Sequence, residues 1–191
     1  MKVINFWGGP SSGKSTTAAG LFHDMSLQLY KVELVHEYAK LLTWSGCTQL
    51  LEDQALIFGN QNHLLWQLRD KVDYAITDSP LPLSIIHMPQ DYPPSFATFA
   101  TEMFKSYENI NIFMRRVKPY DPNGRNEDEA GADKIAREVY NFLALNSIPF
   151  IEVNGNKDAV ESVFEFIMLL EKSSCWYEAY FRWLHQLYAY T

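Results

Sequence analysis

The sequence is poor in the features that mark secreted, metal-binding and membrane proteins. It holds two cysteines in 191 residues, and Cys47 and Cys175 lie too far apart for a metal-ligand or redox motif. We therefore predict free thiols in a reducing compartment, the cytoplasm. The N-terminal apolar run is too short for a signal peptide, and the longest later one, FEFIMLL, is far too short to span a membrane. We expect no membrane partner.

Positive charge is also scarce. The 16 lysines and arginines are outnumbered by 23 aspartates and glutamates, which gives a net charge of −7. Such a chain has no general attraction to nucleic acid or to an anionic membrane, although a local basic groove is compatible with it. We find no internal repeat. A chain of 191 residues with 47% hydrophobic content is most simply one domain with a real core.

What the sequence does contain is a phosphate-binding loop. GGPSSGKST fits the pattern G-x-x-x-x-G-K-[ST] and follows an apolar run, Val3 to Trp7, that predicts a buried strand. Backbone N–H groups and the start of a helix supply positive potential, Lys14 adds a point charge, and Ser15 offers a hydroxyl to Mg²⁺. We predict that the whole loop binds ATP: Gly8, Gly9, Pro10, Ser11, Ser12, Gly13, Lys14, Ser15 and Thr16.

Apolar runs and helical periods alternate along the rest of the chain. Further strands are predicted at KVELVHE, VDYAITD, NINIFMRR and IPFIEVNG. Helices are predicted from Gly13 to about Tyr30, over YAKLLTW, over TQLLEDQALIFGNQNHLLWQLRD, from about Ala130 to Leu145, and from strand five to about Lys172. This alternation predicts an α/β protein of the P-loop NTPase fold, with a mainly parallel sheet of about five strands and helices on both faces. Ligands of such sheets bind at the carboxyl ends of the strands.

Two acids stand at predicted strand ends. Asp78 closes strand three, where a carboxylate commonly faces the Mg²⁺ held by a phosphate loop; the alternative is an aspartate that caps the following turn. Glu37 closes strand two, where it is placed to accept a proton from an attacking hydroxyl; the alternative is a solvated residue at a helix start. We predict Ser15 and Asp78 as metal ligands, and Lys14, Glu37 and Asp78 as catalytic residues.

A basic loop follows strand four, in the segment MRRVKPYDPNGR. Since phosphoryl transfer spreads negative charge over the transferred oxygens, we predict a mobile lid over residues 117–129 that closes on the phosphates. A solvated loop is the alternative. Its basic residues are Arg115, Arg116, Lys118 and Arg125, of which Arg116 is predicted to contact the nucleotide and Arg125 to act in catalysis.

Gln54 and Gln61 lie seven residues apart and so share one face of a predicted helix. Their carboxamides are suited to pairing with the edge of a base or of nicotinamide, which would make them substrate-binding residues. Ordinary surface glutamines are the alternative. His36, His63 and His87 show no spacing typical of a metal site or a catalytic triad, and we assign them no role.

The C-terminal segment, residues 173–191, is set apart by its aromatic side chains. Apolar and aromatic residues recur there at helical spacing: Trp176, Tyr180, Trp183, Leu184, Leu187 and Tyr188. We predict an aromatic helix that packs on the core of a domain formed by residues 1–172. A homodimer interface is the alternative.

Several of these motifs together resemble a known family. The phosphate loop, HEYAK, EDQALIFGNQ, TDSP and PYDPNGRNEDEA look like the P-loop kinase domain of ribosylnicotinamide kinases and of related bacteriophage kinases described as AAA-type ATPases. That group is similar to one that includes phage kinases of 5-hydroxymethyluracil in DNA. The resemblance covers roughly residues 1–170, is strongest at the phosphate loop, and does not extend to the tail.

The resemblance implies a nucleoside- or nucleotide-kinase-like fold with ATP and Mg²⁺ as cofactors, and residence in the host cytoplasm if the chain is phage-encoded. Lys14, Ser15 and Asp78 would handle nucleotide and metal. Glu37 would face the acceptor hydroxyl, and Arg125 would belong to the lid.

Several function classes compete. The first is a kinase that acts on a nucleoside-like substrate, free or within DNA, with ribosylnicotinamide or a nucleoside monophosphate as alternative acceptors. A motor or switch ATPase usually has a glutamate beside the strand-three aspartate, whereas here Ser79 follows Asp78. A GTPase would need an aspartate in place of Ala159 in NKDA. The alternative of another class is a non-catalytic ATP-binding or switch module.

Overall fold

Five strands alternate with helices along the chain. The strands are β1 (Lys2–Trp7), β2 (Val32–Val35), β3 (Tyr74–Thr77), β4 (Glu108–Arg115) and β5 (Ile151–Asn154). The helices are α1 (Lys14–Leu27), α2 (Tyr38–Trp44), α3 (Gln54–Trp66), α4 (Leu83–His87), α5 (Pro94–Lys105), α6 (Glu129–Leu145), α7 (Ala159–Glu171) and α8 (Trp176–Ala189), and a 3₁₀ helix covers Thr48–Glu52. The computed structural model describes residues 1–122 and 127–189, with side chains up to residue 186.

The strands form one sheet in the order β2-β3-β1-β4-β5, and every neighbouring pair is parallel. Helices pack on both faces of this sheet. The predicted α/β class, the five-stranded parallel sheet and its P-loop topology are therefore confirmed. Because the strands are parallel, the loops that follow them meet at one edge of the sheet.

Aromatic side chains on both faces of β1 hold the strand that leads into the phosphate loop. Phe6 points into the core layer formed with α1, α7 and α8. Trp7 points into the opposite layer, where its ring contacts Phe104 and Phe142. The Trp7 side chain is fully buried, and its Nε1 donates to Asn111 Oδ1 at 3.0 Å, which satisfies the polar atom of a large buried ring. The last residue before Gly8 is thus fixed by packing.

The predicted long helix over residues 48–70 is wrong. The 3₁₀ helix ends at Glu52, and α3 begins two residues later. Asp53 explains the break because its carboxylate accepts a hydrogen bond from the Leu56 N–H at 3.0 Å and so caps a new helix.

Two helices between β3 and β4 have no counterpart in the sequence prediction. Helix α5 starts with Pro94 at its first position, a common start signal, and buries Ala100 and Phe104. Helix α4 has five residues, too few to show a helical period.

Helix α8 packs against α7 through one face, which includes Trp183 of the predicted aromatic stripe. Ala179 and Trp183 are buried, and Trp183 Nε1 donates to the Ser162 carbonyl at 3.2 Å. Tyr177 and Phe181, which lie outside the predicted stripe, are 66% and 58% exposed. A homodimer contact through the aromatic stripe stays a prediction. The side chains of Leu187 and Tyr188 lie outside the described residues. Within the described ranges, no helix has the length and apolar character needed to cross a bilayer.

Candidate functional site

The predicted phosphate loop forms a tight turn between β1 and α1. Gly8 and Gly13 adopt φ angles of 132° and 94°, which L side chains rarely tolerate. A Cβ atom on Gly8 would lie 2.7 Å from the Met114 carbonyl oxygen, so the loop can approach β4 only with glycine at this position. Helix α1 begins directly after the loop, at Lys14. The N–H groups of the loop and of the first helical turn therefore form an anion-binding site.

Lys14 keeps its ammonium group over the same turn. Its Nζ donates to the carbonyl oxygens of Gly8 and Gly9 at 2.9 and 2.8 Å. Ser15 and Thr16 follow in the first turn of α1. The predicted nucleotide-binding residues of the loop are thus brought together in one turn and one helix start.

Asp78 lies directly after β3, the neighbour of β1 in the sheet. Its side chain is buried, and its Oδ1 has no hydrogen-bond partner among the described residues. A buried carboxylate oxygen is costly unless a donor or a cation reaches it. Oxygen atoms such as those of Ser15 and Asp78 are the ligands that Mg²⁺ prefers, usually with phosphate oxygens and waters completing the shell. The residues present therefore fit a magnesium ion that is bound together with a nucleotide.

Side chains of the described segments offer no complete metal cage of their own. No group of three or more His, Cys, Asp or Glu side chains in residues 1–122 and 127–189 is arranged to hold a metal ion. This agrees with a cation that shares its ligands with bound phosphates.

A cavity of about 310 Å³ beside the phosphate loop brings the two predicted acids together. Lys14, Glu37, Gln54 and Asp78 all line it. Four titratable residues without an assigned role in the sequence analysis line it as well: Lys40, Glu52, His87 and Glu127. We call this space the acid cavity, since its carboxylates outnumber its lysines among the described residues.

His87 reaches the acid cavity from the end of α4. The residue is exposed on its solvent side, but desolvation where the ring faces the cavity lowers the pKa of its imidazole below the ordinary value of 6.5, against the opposing effect of the Glu127 carboxylate. The ring is therefore mainly neutral at physiological pH and offers one donor and one acceptor. The sequence held no usable signal for His87. Lys40, by contrast, lies in the first turn of α2, three residues after Glu37, which directly precedes the helix.

Gln54 and Gln61 are placed differently. Gln54 lines the acid cavity, and its Nε2 donates to the Leu51 carbonyl at 2.6 Å. Gln61 is buried outside the cavity lining. The predicted pairing of Gln61 with a substrate therefore disagrees with its position.

The carboxamide of Gln61 makes three hydrogen bonds within the protein. Its Oε1 accepts from the Tyr38 N–H at 3.0 Å, and its Nε2 donates to the His36 carbonyl and to Thr77 Oγ1, each at 3.3 Å. Glu37 lies between His36 and Tyr38. Gln61 therefore holds the backbone that carries Glu37 against the end of β3.

Arg116 lies on the other side of the phosphate loop. Its guanidinium pairs with Glu129 at 2.9 Å and with Asp133, and it lies 5.5 Å from the Tyr120 ring centre. A second cavity of about 440 Å³ borders the loop here, and we call it the arginine cavity after three of its lining residues: Arg115, Arg116 and Arg137.

The segment after β4 also touches the phosphate loop. The Asp121 N–H donates to Ser11 Oγ at 3.0 Å. The predicted lid residue Arg125 lies outside the described residues.

Comparisons with known proteins agree with this fold. The model of a family described as AAA domain matches residues 3–161. The structure of thymidylate kinase from Ehrlichia chaffeensis superposes with a TM-score of 0.60 at 15% identity, over 87% of this chain and 98% of that chain. No curated protein matches the sequence. The structural likeness, at this identity, concerns the fold, whereas the family model spans most of the sequence. The chain therefore belongs to the AAA domain family.

Proposed function

We propose that the protein is a kinase that uses ATP and Mg²⁺ to transfer the γ-phosphoryl group to a hydroxyl of a nucleoside-like acceptor. The observation that carries this proposal is the acid cavity, in which Lys14, Glu37 and Asp78 meet beside the phosphate loop. Its volume of about 310 Å³ is at the lower end of small-molecule sites. The fold shared with a thymidylate kinase supports the same class of reaction.

The proposed step is an in-line displacement. The acceptor oxygen attacks the γ-phosphorus, the bond from that phosphorus to the β,γ-bridging oxygen breaks, and ADP leaves. Glu37 takes the proton of the attacking hydroxyl. Lys14 and the N–H groups of the loop stabilise the charge on the phosphate oxygens. Bound Mg²⁺, held by Ser15 and Asp78, would neutralise part of that charge.

Ser79 argues against a hydrolytic enzyme. It follows Asp78, at the position where ATPases usually carry a glutamate that activates water. Its N–H donates to Thr77 Oγ1 at 3.1 Å, which gives this residue a role in the turn. In the proposed reaction the proton acceptor is instead Glu37, which lines the acid cavity.

The charge of the acid cavity affects which acceptor can bind there. Among the described residues, four carboxylates face two lysines there: Glu37, Glu52, Asp78 and Glu127 against Lys14 and Lys40. Since like charges in a shared cavity repel, we propose a free nucleoside such as ribosylnicotinamide ahead of a nucleoside monophosphate. The 5-hydroxymethyluracil base of phage DNA is the second candidate, and it would have to leave the base stack to reach the cavity.

Transfer of label from γ-labelled ATP tests the proposal. Nucleosides, ribosylnicotinamide, nucleoside monophosphates and DNA that contains 5-hydroxymethyluracil are offered in parallel with Mg²⁺, from low to moderate salt. We expect transfer to a free nucleoside that changes little with salt. Transfer to DNA would fall steeply as salt screens its phosphates.

The Lys14→Ala variant is the control for this assay. It should retain the fold and lose about 10²–10³-fold in transfer, because it removes a charge aimed at the donor phosphates. Hydrolysis of ATP that no acceptor stimulates, or unchanged transfer in Lys14→Ala, would contradict the kinase proposal. ATP binding without any turnover would instead favour a binding or switch module.

A further inference from the structure

Helix α6 begins directly against the phosphate loop. A Cβ atom on Gly9 would lie 2.6 Å from the Ala132 carbonyl oxygen and 2.9 Å from the Ala136 Cβ. A β-carbon does not approach other non-bonded atoms this closely, so only glycine lets the helix lie on the loop. Charges carried by the first turns of α6 therefore act on whatever the loop binds.

Two acids in these first turns hold Arg116. Its Nη1 donates to Glu129 Oε1 at 2.9 Å, and its Nη2 donates to Asp133 Oδ1. Glu129 and Asp133 lie four residues apart and so share one face of the helix. The Arg116 side chain is 15% exposed, whereas those of Glu129 and Asp133 are 65% and 50% exposed. We call these three side chains the α6 clasp.

The α6 clasp lies beside the loop that is expected to hold phosphates. Arg116 and Asp133 line the arginine cavity together with Gly9, Pro10 and Ser12 of the loop. One guanidinium charge against two carboxylate charges leaves the clasp with one net negative charge. A net negative charge repels a phosphate chain, whereas a guanidinium without its carboxylates attracts one. The pairing of Arg116 thus determines the sign of the charge that bound phosphates meet.

The carboxylates and a phosphate chain compete for the same guanidinium. Phosphates bind arginine most strongly through two parallel N–H···O bonds. In Arg116 each terminal nitrogen already donates to one carboxylate, so any such contact engages at least one nitrogen that an acid of α6 holds. Phosphate oxygens brought to that nitrogen would also lie close to the carboxylate and be repelled by it.

We propose that Glu129 and Asp133 compete with the phosphates of the donor nucleotide for Arg116, so that the α6 clasp lowers the affinity for ATP. Binding then includes the free energy needed to break the clasp, and the released guanidinium donates to the phosphates. The inference rests on the proposed function in one respect, namely that the phosphate loop holds the donor nucleotide. It assigns a regulatory role to two acids of α6 that the proposed reaction does not use.

Equilibrium binding of ATP and of inorganic tripolyphosphate tests the inference. Asp133→Asn keeps the size of the side chain and removes its charge. It should bind ATP about five-fold more tightly, a modest gain because Asp133 is half exposed to water. Tripolyphosphate has the phosphate chain without ribose or base, and it should gain by the same factor. Glu129→Gln should act in the same direction by a smaller factor, since Glu129 is more exposed.

A second background shows whether the gain acts through Arg116. Arg116→Met keeps an apolar stem of similar length and removes the guanidinium. In this background Asp133→Asn should lose most of its effect on both Kd values, because there is no guanidinium left to release. A general effect of charge would persist there at full size.

Glu152→Gln is the matched control. Glu152 lines the same cavity as Asp133 but pairs with Arg115. Its variant removes an equal charge without touching the α6 clasp, and the Kd for ATP should change by less than about two-fold.

Four results would overturn the inference. They are unchanged or weaker ATP binding in Asp133→Asn, an equal gain in Glu152→Gln, a full gain in the Arg116→Met background, and a gain for ATP without one for tripolyphosphate. The last result would place Arg116 on the nucleoside part of the donor.

The measurement needs no acceptor and so stands apart from the kinase proposal. Tighter binding in Asp133→Asn without transfer to any acceptor would contradict the kinase proposal alone. Transfer in the labelling assay with unchanged binding in Asp133→Asn would contradict the α6 clasp alone, and a chain that binds neither ATP nor tripolyphosphate would contradict both.

Discussion

At the scale of single residues, substitutions can distinguish the proposed roles of Glu37 as general base and Asp78 as metal ligand, although both residues line the same cavity. Glu37→Gln keeps the shape of the side chain and removes its proton acceptor. We expect kcat to fall by about 10²–10⁴-fold, with ATP affinity unchanged, as measured by steady-state kinetics and equilibrium binding. Weaker ATP binding in this variant would mean that Glu37 serves the donor instead.

Asp78→Asn should have the complementary effect. An amide is a poorer ligand for Mg²⁺ than a carboxylate, so the Mg²⁺ concentration for half-maximal transfer should rise several-fold along with a loss of turnover. Asp70→Asn is the matched control, because Asp70 is exposed in the turn before β3, remote from the strand end that carries Asp78. An unchanged Mg²⁺ titration in Asp78→Asn would contradict its role as a ligand.

Single residues differ in how far the sequence could predict their positions. Lys14 and Asp78 are recognisable because a motif and a strand end are local patterns. The role of Gln61 depends on His36 and Thr77, which are distant in the sequence and meet it only after β2 and β3 pair. His87 was missed for a related reason, since α4 is too short to show a period and its partners come from other elements.

At the scale of elements, Gln61 connects three of them. Its Oε1 accepts the N–H of Tyr38, one of the first-turn donors of α2 that have no partner within the helix. Gln61→Leu would remove the side-chain partner of that donor and of the His36 carbonyl at a partly buried position. We expect a loss of about 1–3 kcal/mol in the free energy of unfolding, measured by urea denaturation.

The kinetic effect of Gln61→Leu distinguishes positioning from binding. If Gln61 positions Glu37, kcat should fall while the acceptor KM changes little. Gln54→Leu, on the same helix but lining the acid cavity, should instead raise the acceptor KM. A raised acceptor KM with unchanged kcat in Gln61→Leu would contradict the positioning role. It would instead support the substrate contact that the sequence predicts for Gln61.

Helix α8 should contribute to stability through its inner face. Trp183 is 3% exposed and packs on Phe166 of α7. Trp183→Ala should cost about 3–5 kcal/mol, whereas Tyr177→Ala on the exposed face should stay within about 0.5 kcal/mol. Urea denaturation measures both. An equally stable Trp183→Ala variant would show that the packing of α8 on α7 adds nothing to the fold.

The helices and strands also show which features sequence patterns predict and which they do not. Alternating apolar runs predicted the order of strands and helices well, because the burial of a parallel sheet on both faces imposes that pattern. Element boundaries followed local capping instead, as at Asp53, where one carboxylate divides a continuous apolar period. The same limit applies to α8, whose spacing predicts an apolar face and leaves its partner open.

At the scale of the whole molecule, the proposed site and a polar cluster around Glu171 lie at opposite ends of the central strands. Asp78 and the phosphate loop follow the carboxyl ends of β3 and β1. Lys2 and Tyr74 stand at the first residues of those strands, where Lys2 Nζ and the Tyr74 hydroxyl donate to Glu171 Oε1 at 2.5 and 2.6 Å. This cluster can therefore be altered without touching the proposed site.

The Glu171 cluster should make stability depend on pH at both extremes. Burial acts to raise the pKa of Glu171, but the hydrogen bonds from Lys2 and Tyr74 and the charge of Lys2 hold it below its ordinary value of 4.5. A carboxyl with a lowered pKa stabilises the fold above its ordinary value, and this contribution is lost as the pH falls through the folded-state pKa. For Lys2, burial acts to lower the pKa, but the Glu171 carboxylate holds it above 10.5. That contribution is complete below 10.5 and is lost as the pH rises through the raised value.

Glu171→Gln tests both limits. The variant should be about 1 kcal/mol less stable than the unmodified chain in urea denaturation at pH 7, a modest value because the Glu171 side chain is 36% exposed. The difference should shrink as the pH falls from 4.5 through the lowered folded-state pKa of Glu171, and again as the pH rises from 10.5 through the raised folded-state pKa of Lys2. Glu108→Gln is the control, since Glu108 lies 3.7 Å from Lys2 and is 67% exposed, and screening by water leaves such a pair little net energy. A difference that stayed constant from pH 3 to pH 11 would show that Glu171 acts through packing rather than through its charge.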